Sequence, residues 1–457
     1  MNPTNQARSR GLLAIPFLIT LTTNGLSRKM NHYQLHDRSV WASGQTAHKY
    51  LKRFKKVPLV TWSKKAAAIV KHRWHAVQHR ATCERVIWMT PWYWGKTSQL
   101  RDWLDFAIVS VFTNNRTIIE GYGGQYSSWC EQGNWLTCYF EPFHGTQCNG
   151  VPRQGPQVKN IRQFGGDRNF IQANSYCGSN TMEIHQAFPN AMWDQLVAKK
   201  HIVYHDPDTH VPMDRDAIND FKQKNALLYY SVSLSSLKSI MAKHILIPNK
   251  HIQQKADALT QGISNDNPVI AVHMRRTDKH TDGGSVRNLE FSDRFVLKAI
   301  GMICEQFFPP SATKTNENCI EQLPSGINVL ALSDDTTAIV GLQRHLGHKF
   351  NVRTLSNISK LLHSDEERQE YSRIGHKFFG GANARTYEYH ASVFVDVVAA
   401  SRADMLIGVG GSGVSQLIAQ RIGGENGADG NALSLWQEDL AHDDVKSSGI
   451  KSSIGEG

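Results

Sequence analysis

The chain has 457 residues, a formal net charge of +11 at pH 7, 40% hydrophobic residues and 20% charged residues. This length is sufficient for two α/β domains, and the composition is that of a folded, soluble body rather than a disordered chain. The sequence contains no internal repeat, which excludes a solenoid or a propeller.

A short apolar segment, Gly11–Leu21, follows two arginines near the start of the chain. Because it is short and interrupted by a proline, it predicts a secretory signal peptide or a marginal signal anchor rather than a regular membrane span. Two sequons, at Asn115 and Asn357, agree with a lumenal location. We therefore expect residues 1–26 to be a signal peptide or short type II anchor, and the protein to belong to the secretory pathway.

A strongly basic segment extends from His48 to Arg80, with ten Lys or Arg and no acidic residue. Apolar residues recur within it at helical spacing, at Trp62, Ile69, Val70, Trp74 and Val77. This pattern predicts an amphipathic helix within a helical stem, residues 27–104, that packs on the body or on a second copy to form a homodimer. The alternative is a surface for an anionic polymer, such as nucleic acid, or for a membrane. We favour packing, because amphipathic helices most often cover a core, and expect no nucleic acid partner.

Residues 105–262 alternate short apolar runs with aromatic, glycine-rich loops such as Gly121–Trp129. Aromatic rings beside polar groups suit the faces of sugar rings, although tryptophans in a core are the commoner case. We expect a first α/β domain here, which ends at the linker Gln261–Pro268.

An apolar strand, Val269–Val272, continues into His273 and then into the guanidinium groups of Arg275 and Arg276. In an open α/β sheet, ligands bind beyond the carboxyl ends of the strands. Two adjacent guanidiniums repel each other unless an anion lies between them, and a pyrophosphate has oxygens that match their forked geometry. The alternative is a solvated basic turn.

A second apolar strand, beginning at Ile327, ends in the carboxylates of Asp334 and Asp335. Such a pair could bind a metal, accept hydrogen bonds from sugar or ribose hydroxyls, or orient nearby arginines. It could also cap the following helix. The two residues are adjacent and lack the separated Asp-x-Asp spacing of a metal clamp, so we favour the roles without a metal and expect no metal cofactor.

A third segment, Ala403–Ala419, predicts a strand, a glycine-rich turn that contains Ser412, and a helix. Glycines let the backbone approach an anion, and the helix N-terminus offers unpaired N–H groups, although many such turns serve only tight packing. Together the three strand ends predict one nucleotide site on a Rossmann-like sheet, residues 263–422. The remaining residues, 423–457, are rich in glycine, acid and serine and predict a partly disordered tail.

The chain has seven cysteines and no C-x-x-C pair that would predict a zinc site. We expect one or two disulfides among those in the first half, which are Cys130, Cys138, Cys148 and Cys177. At least one thiol should remain free, and Cys304, in a predicted helix over residues 296–307, is the candidate.

The run His273-Met-Arg-Arg-Thr-Asp-Lys279 resembles the His-x-Arg-Arg-Thr-Asp-Lys signature of the α-1,6-fucosyltransferases of glycosyltransferase family 23. That family includes the N-glycan core and Nod-factor fucosyltransferases. Similar segments follow its order, at Arg116–Glu120, Leu332–Asp335 and Ser401–Asp404. The resemblance, over roughly residues 105–420, implies a GT-B-like, two-lobed α/β fold, with an acceptor-side first domain and a GDP-sugar-binding second domain. It also implies a Golgi location.

The resemblance implies a role for each candidate donor-site residue. Arg275 and Arg276 would grip the diphosphate of GDP-fucose, and Ser412 would contact the β-phosphate. His273 and Asp396 would hold the guanine. Asp396 lies in an apolar helical stretch, where burial is costly unless the carboxylate accepts hydrogen bonds, and a guanine edge supplies two donors. A water-bound structural Asp is the alternative.

The catalytic base is where this chain departs from the family pattern. The family has a glutamate four residues after the signature lysine, whereas this chain has Gly283 four residues after Lys279. We predict that Asp282, with Lys279 behind it, takes this role, because the attacking hydroxyl needs a base within hydrogen-bond reach.

The predicted function is inverting, metal-independent transfer of fucose from GDP-fucose to a glycan acceptor, at the 6-hydroxyl of an N-acetylglucosamine in an N-glycan or chitooligosaccharide. One alternative is a GDP-sugar- or glycan-binding module that lost its base at Gly283. A peptide O-fucosyltransferase is another, distinguished by whether the sugar is attached to Ser/Thr or to a glycan.

Overall fold

The computed structural model describes a set of segments of the chain, and all of them belong to one compact unit, Thr46–Gly457. The described residues are 59–79, 83, 86–90, 96–113, 116–119, 138–141, 157–158, 170–174, 191–206, 209, 211–263, 267–274, 296–297, 299–304, 320–323, 325–333, 336–355, 384–408, 412–426 and 432–434.

Within these segments the strands, in chain order, are β1 (Val60–Trp62), β2 (Val86–Thr90), β3 (Arg116–Ile119), β4 (Gln157–Val158), β5 (Phe170–Asn174), β6 (Ile202–Tyr204), β7 (Val269–Met274), β8 (Asn328–Ser333), β9 (Asn351–Thr354), β10 (Met405–Gly408) and β11 (Ala432–Ser434). The helices are α1 (Lys64–Gln78), α2 (Lys96–Thr113), α3 (Ala191–Ala198), α4 (Arg215–Lys224), α5 (Ala226–His244), α6 (Lys250–Thr260), α7 (Thr336–Leu346), α8 (Ala384–Ala400) and α9 (Gly413–Asn426).

The described strands of the second half of the chain form a parallel sheet with the order β11-β10-β7-β8-β9. Numbered within this sheet, the order is 3-2-1-4-5 when read from β9, which is that of a doubly wound α/β sheet. Strands β7, β8 and β10 are buried along their whole length, and such strands read as continuous apolar runs. This confirms the predicted α/β class.

A second parallel sheet has the order β3-β2-β5-β4 among the described residues. Its strand β2 lies within residues 27–104, which the sequence assigns to a helical stem, and helix α2 crosses the predicted limit at 104/105. Helix α9 likewise crosses the limit predicted at 422/423. The domain limits and the division into two lobes stay predictions.

Helix α1 is the predicted basic amphipathic helix. Ser63 caps it, since its hydroxyl oxygen accepts a hydrogen bond from the backbone N–H of Ala66 at 3.2 Å. The apolar side packs in the core, with Val70, Trp74 and Val77 fully buried. The ring of Trp74 meets that of Trp103 on α2 edge to face, with centroids 5.5 Å apart. The helix therefore packs on the body of its own chain, and the homodimer stays a prediction.

Helices α5 and α9 cross closely, and the crossing fixes the position of α9 against the body. The buried Arg421 side chain donates from Nη1 to the backbone oxygens of Ala242 and Leu246, at 2.7 and 2.8 Å. It thereby satisfies one carbonyl in the last turn of α5 and another two residues beyond the end of that helix. Gly424 allows the approach, because a Cβ there would overlap the backbone oxygen of Ser239.

A buried ion pair joins α2 to α5. The Lys238 Nζ lies 2.5 Å from Asp105 Oδ1, and the two side chains are 11% and 3% exposed. Such a pair does little for net stability, but removing one partner leaves a buried charge uncompensated.

The described cysteines, Cys83, Cys138 and Cys304, are all disulfide-bonded. The prediction that Cys304 is free is therefore wrong. It was based on the predicted helix, but a cysteine in a helix can still form a disulfide with a neighbouring segment of the fold. Since three is odd, at least one partner lies outside the described residues.

No helix within the described part of the chain is both long and apolar enough to span a bilayer. The apolar segment at residues 11–21 and the predicted tail apart from Gly423–Asn426 and Ala432–Ser434 lie outside that part.

Candidate functional site

The candidate site lies at the carboxyl edge of the five-stranded sheet, between β7 and β10. These two strands are neighbours, with Ile407 opposite Val272. From β7 the chain continues to β8 and β9 on one side, and it then crosses to β10 and β11 on the other side of β7, so the strand order reverses here. In doubly wound sheets, ligands bind in the crevice outside the carboxyl ends of the strands at this point.

His273 occupies this edge, one residue before the end of β7, and is only 6% exposed. Its Nδ1 is hydrogen-bonded to the hydroxyl of Ser415, at 2.6 Å. Ser415 lies in the first turn of α9, the helix that follows β10. The bond joins the end of one strand to the helix after its neighbour and fixes the orientation of the imidazole ring.

Gly408, the last residue of β10, makes this bond possible. A Cβ at this position would lie 2.7 Å from the hydroxyl oxygen of Ser415 and 3.0 Å from its Cβ. Contacts below about 3 Å are far inside van der Waals separation. Any other residue at position 408 would therefore push α9 away from the strand, or Ser415 away from His273.

Ser412 is fully buried and directly precedes α9. Its carbonyl oxygen accepts the backbone N–H of Gln416 at 3.0 Å, which is the first hydrogen bond of the helix. The residue therefore stands at the N-terminus of α9, where the positive end of the helix dipole favours an anion.

Asp396, on α8, is 4% exposed, and its Oδ1 has no hydrogen-bond partner among the described residues. Burial raises the pKa of this carboxyl well above its ordinary value. No ion pair or hydrogen bond with a described residue compensates for the burial, so the side chain destabilises the unliganded protein when it is ionised.

The other predicted site residues lie outside the described residues: Arg275, Arg276, Lys279, Asp282, Asp334 and Asp335. The backbone that leads into the arginine pair and the backbone that leads into the aspartate pair are described. Met274, at the end of β7, is opposite Ser333, at the end of β8. The chain thus enters the arginine pair and the aspartate pair from adjacent positions at one edge.

Sequence reasoning missed Ser415 and the role of Gly408. The prediction selected Ser412 because it lies in the glycine-rich turn. Ser415 is only three residues later, and the sequence does not show which of the two hydroxyls faces the neighbouring strand. Among the described residues, no group of three or more His, Cys, Asp or Glu could hold a metal ion.

The fold is that of an α/β protein with a doubly wound parallel sheet, and its reversal point between β7 and β10 is the place where such sheets bind ligands. No protein-family profile matches the chain, and no curated protein sequence matches it. Similar solved structures include fucosyltransferase NodZ from Bradyrhizobium, with 14% identity, TM-score 0.38 and coverage of 74% of this chain and 93% of that chain. Another is a mutant of Arabidopsis thaliana FUT1 in complex with GDP, with 10% identity and TM-score 0.40. The match covers 82% of this chain and 76% of that chain. POFUT1 in complex with GDP-fucose has 10% identity and TM-score 0.35, and the match covers 78% of this chain and 99% of that chain. At these scores the likenesses establish neither a family nor an activity.

Proposed function

We propose that this protein is a metal-independent, inverting fucosyltransferase of the α-1,6 type, which transfers fucose from GDP-fucose to a glycan hydroxyl. The hydrogen bond between His273 and Ser415 carries the proposal. It joins the strand that leads into the His-x-Arg-Arg-Thr-Asp-Lys motif to the helix behind the glycine-rich turn. This contact supports our placing both motifs that would bind a nucleotide diphosphate at one crevice.

The reaction requires stabilisation of the departing diphosphate. As the bond between the anomeric carbon and the phosphate oxygen breaks, the sugar becomes positive and the phosphate gains negative charge. Arg275, Arg276 and the N-terminus of α9 at Ser412 would stabilise that charge, since fixed donors at a developing charge are the largest usual contribution to catalysis. Asp282, supported by Lys279, would take the proton of the attacking hydroxyl.

Guanine recognition is assigned to His273 and Asp396. A buried carboxylate with no partner has a cost, and guanine offers N1–H and the N2 amino group as two donors that would satisfy it. His273 already has one ring nitrogen engaged by Ser415, so its ring plane is set before the donor arrives. Asp334 and Asp335 would accept from sugar or ribose hydroxyls.

The acceptor is proposed to be the 6-hydroxyl of an N-acetylglucosamine in an N-glycan or chitooligosaccharide. This part rests on the resemblance of the motif segments to glycosyltransferase family 23. A GT-B arrangement of two lobes is supported by the presence of two parallel sheets, and a secretory, Golgi location by the disulfide-bonded cysteines.

One specific observation favours a second candidate. Gly283 stands where the family pattern has its glutamate, so the protein could retain the GDP-sugar pocket as a binding module without transfer. Calorimetry with GDP, paired with a turnover assay using GDP-fucose and a mixed pool of glycan acceptors, separates the two. Tight binding with transfer supports the enzyme, tight binding without transfer supports the module, and no GDP binding refutes both.

The same assay tests the acceptor and the metal. A peptide with Ser or Thr in place of glycans would become labelled only if the chain were a peptide O-fucosyltransferase. Addition of EDTA should leave transfer intact, and dependence on manganese would reassign Asp334 and Asp335 as metal ligands.

A further inference from the structure

Lysines from two distant segments meet at the N-terminal end of helix α1. Strands β1 and β6 are antiparallel, with Trp62 opposite Ile202. The backbone N–H of Ser63 then donates to the carbonyl oxygen of His201, at 2.9 Å, which extends the pairing. The flanking residues on both strands are exposed lysines: Lys64, Lys65, Lys199 and Lys200.

The rest of the exposed side of α1 continues this charge. Its exposed positions contain only basic residues, histidine and alanine, which are Lys64, Lys65, Ala68, His72, Arg73 and Ala76. The helix has no acidic residue, and none of these cations forms a salt bridge with a described residue. We call this set, with Lys199 and Lys200, the basic surface.

The arrangement of the basic surface is unfavourable for the stability of the helix itself. Lys64 and Lys65 occupy the first two helical positions, at the positive end of the helix dipole, where each cation costs about 0.3–1 kcal/mol. His75 and His79, one turn apart, have ring centroids 5.4 Å apart and repel when both are charged. A helix shaped for stability alone would have acids at its start, so this surface is better explained by a bound anion.

A membrane is a poor partner for the basic surface. Helices that lie on membranes bind by inserting an apolar side into the lipid, with basic residues as a supplement. The apolar side of α1 is instead used within the protein, where Val70, Trp74 and Val77 are 0% exposed. The partner is therefore a charged polymer in solution.

Nucleic acid is also disfavoured. Single-stranded nucleic acid binds where bases stack on exposed aromatic rings, and the exposed positions of α1 have none. The disulfide-bonded Cys83, Cys138 and Cys304 indicate an oxidising compartment, where the polyanions are acidic glycans. We propose that the basic surface binds an acidic polysaccharide. The compartment is the one assigned under the proposed function, but the inference does not depend on the transfer reaction.

Heparin is a suitable probe, with binding to the full chain measured by calorimetry at several salt concentrations. The variants Lys64→Gln/Lys65→Gln and Lys199→Gln/Lys200→Gln should each weaken binding by about tenfold at 50 mM salt and reduce the salt dependence, because each removes two ion contacts. The control Lys224→Gln/Lys250→Gln removes the same charge from exposed positions elsewhere and should change neither quantity.

Equal weakening in the control would overturn the proposal, since binding would then reflect net charge only. Tighter binding to a 20-nucleotide single strand, or to vesicles with 30% phosphatidylserine, would overturn it too. GDP affinity, measured on the same variants, should be unchanged, so that loss of heparin binding is distinguished from failure of the proposed donor site.

Discussion

Replacing Gly408 with alanine tests whether the crevice depends on the contact between His273 and Ser415. The added Cβ would lie 2.7 Å from Ser415 Oγ, and overpacking of this kind costs about 1–3 kcal/mol. Gly408 does not have a positive φ, so alanine recovers about 0.4–1 kcal/mol by restricting the unfolded chain. The net expectation is a loss of about 1–2 kcal/mol in the free energy of unfolding.

The effect on donor binding should be separate from this loss of stability. Displacing Ser415 breaks its hydrogen bond to His273, and a bond of this kind is worth about 1–1.5 kcal/mol, which corresponds to about tenfold in Kd. Calorimetric titration of folded Gly408→Ala with GDP measures it. Ser415→Ala, which removes the hydroxyl without any overlap, should weaken GDP binding similarly and cost less stability.

Gly424→Ala is the control, because it introduces an overlap on the same helix, about two and a half turns after Ser415. Its Cβ would meet the backbone oxygen of Ser239 and the side chain of Lys243. We expect a loss of stability with unchanged GDP affinity. If Gly408→Ala binds GDP within about twofold of the wild type, or if Gly424→Ala weakens binding equally, the role given to the contact is refuted.

Three further changes test the two buried carboxylates, Asp396 and Asp105, and the proposed diphosphate contact of Arg276. Folding raises the pKa of the Asp396 carboxyl above its ordinary value of 3.8. The free energy of unfolding therefore falls by about 1.4 kcal/mol per pH unit as the pH rises from that value toward the pKa of the folded protein. Asp396→Asn should abolish this pH dependence. Urea unfolding of both proteins from pH 5 to 8 should show the wild type losing stability relative to the variant, whereas a constant difference would contradict the assignment; GDP affinity should fall in the variant. Lys238→Ala should cost about 3–5 kcal/mol in the same unfolding assay, and a cost below about 1 kcal/mol would mean that the Asp105 charge is relieved in another way. Arg276→Ala should reduce transfer by about a hundredfold or more, and near-normal turnover would remove this residue from the diphosphate site.

The second-half sheet was predictable because buried parallel strands have a simple sequence pattern. The strands Val269–Met274 and Asn328–Ser333 contain the apolar runs Val269–Val272 and Val329–Leu332, and charged residues follow each strand directly. The strand Val86–Thr90 has the same character, but it follows the basic segment His48–Arg80 and was assigned with it to a helical stem. Net charge over a long window therefore hid a strand of only 5 residues.

The contacts that build the site were not predictable, because they depend on how closely two elements approach. Nothing in the sequence distinguishes Ser412 from Ser415 until β10 lies beside β7 and α9 is fixed by Arg421 and Gly424. The disulfide at Cys304 has the same origin, since cysteine pairing depends on distance in the fold and not on spacing in the chain.

Two buried carboxylates show how structural and ligand-binding groups can be told apart in this protein. Asp105 is buried beside Lys238, which neutralises it within the fold, so its presence is explained without a ligand. Asp396 is buried to a similar degree, but no described cation or donor compensates for it. Since a residue that only destabilises the unliganded fold needs another reason to be there, Asp396 is the stronger candidate for contact with the nucleotide. A stability gain in Asp396→Asn at neutral pH, together with a loss of GDP affinity, is the combination that this reasoning requires; a stability loss would place Asp396 with Asp105 as a structural group.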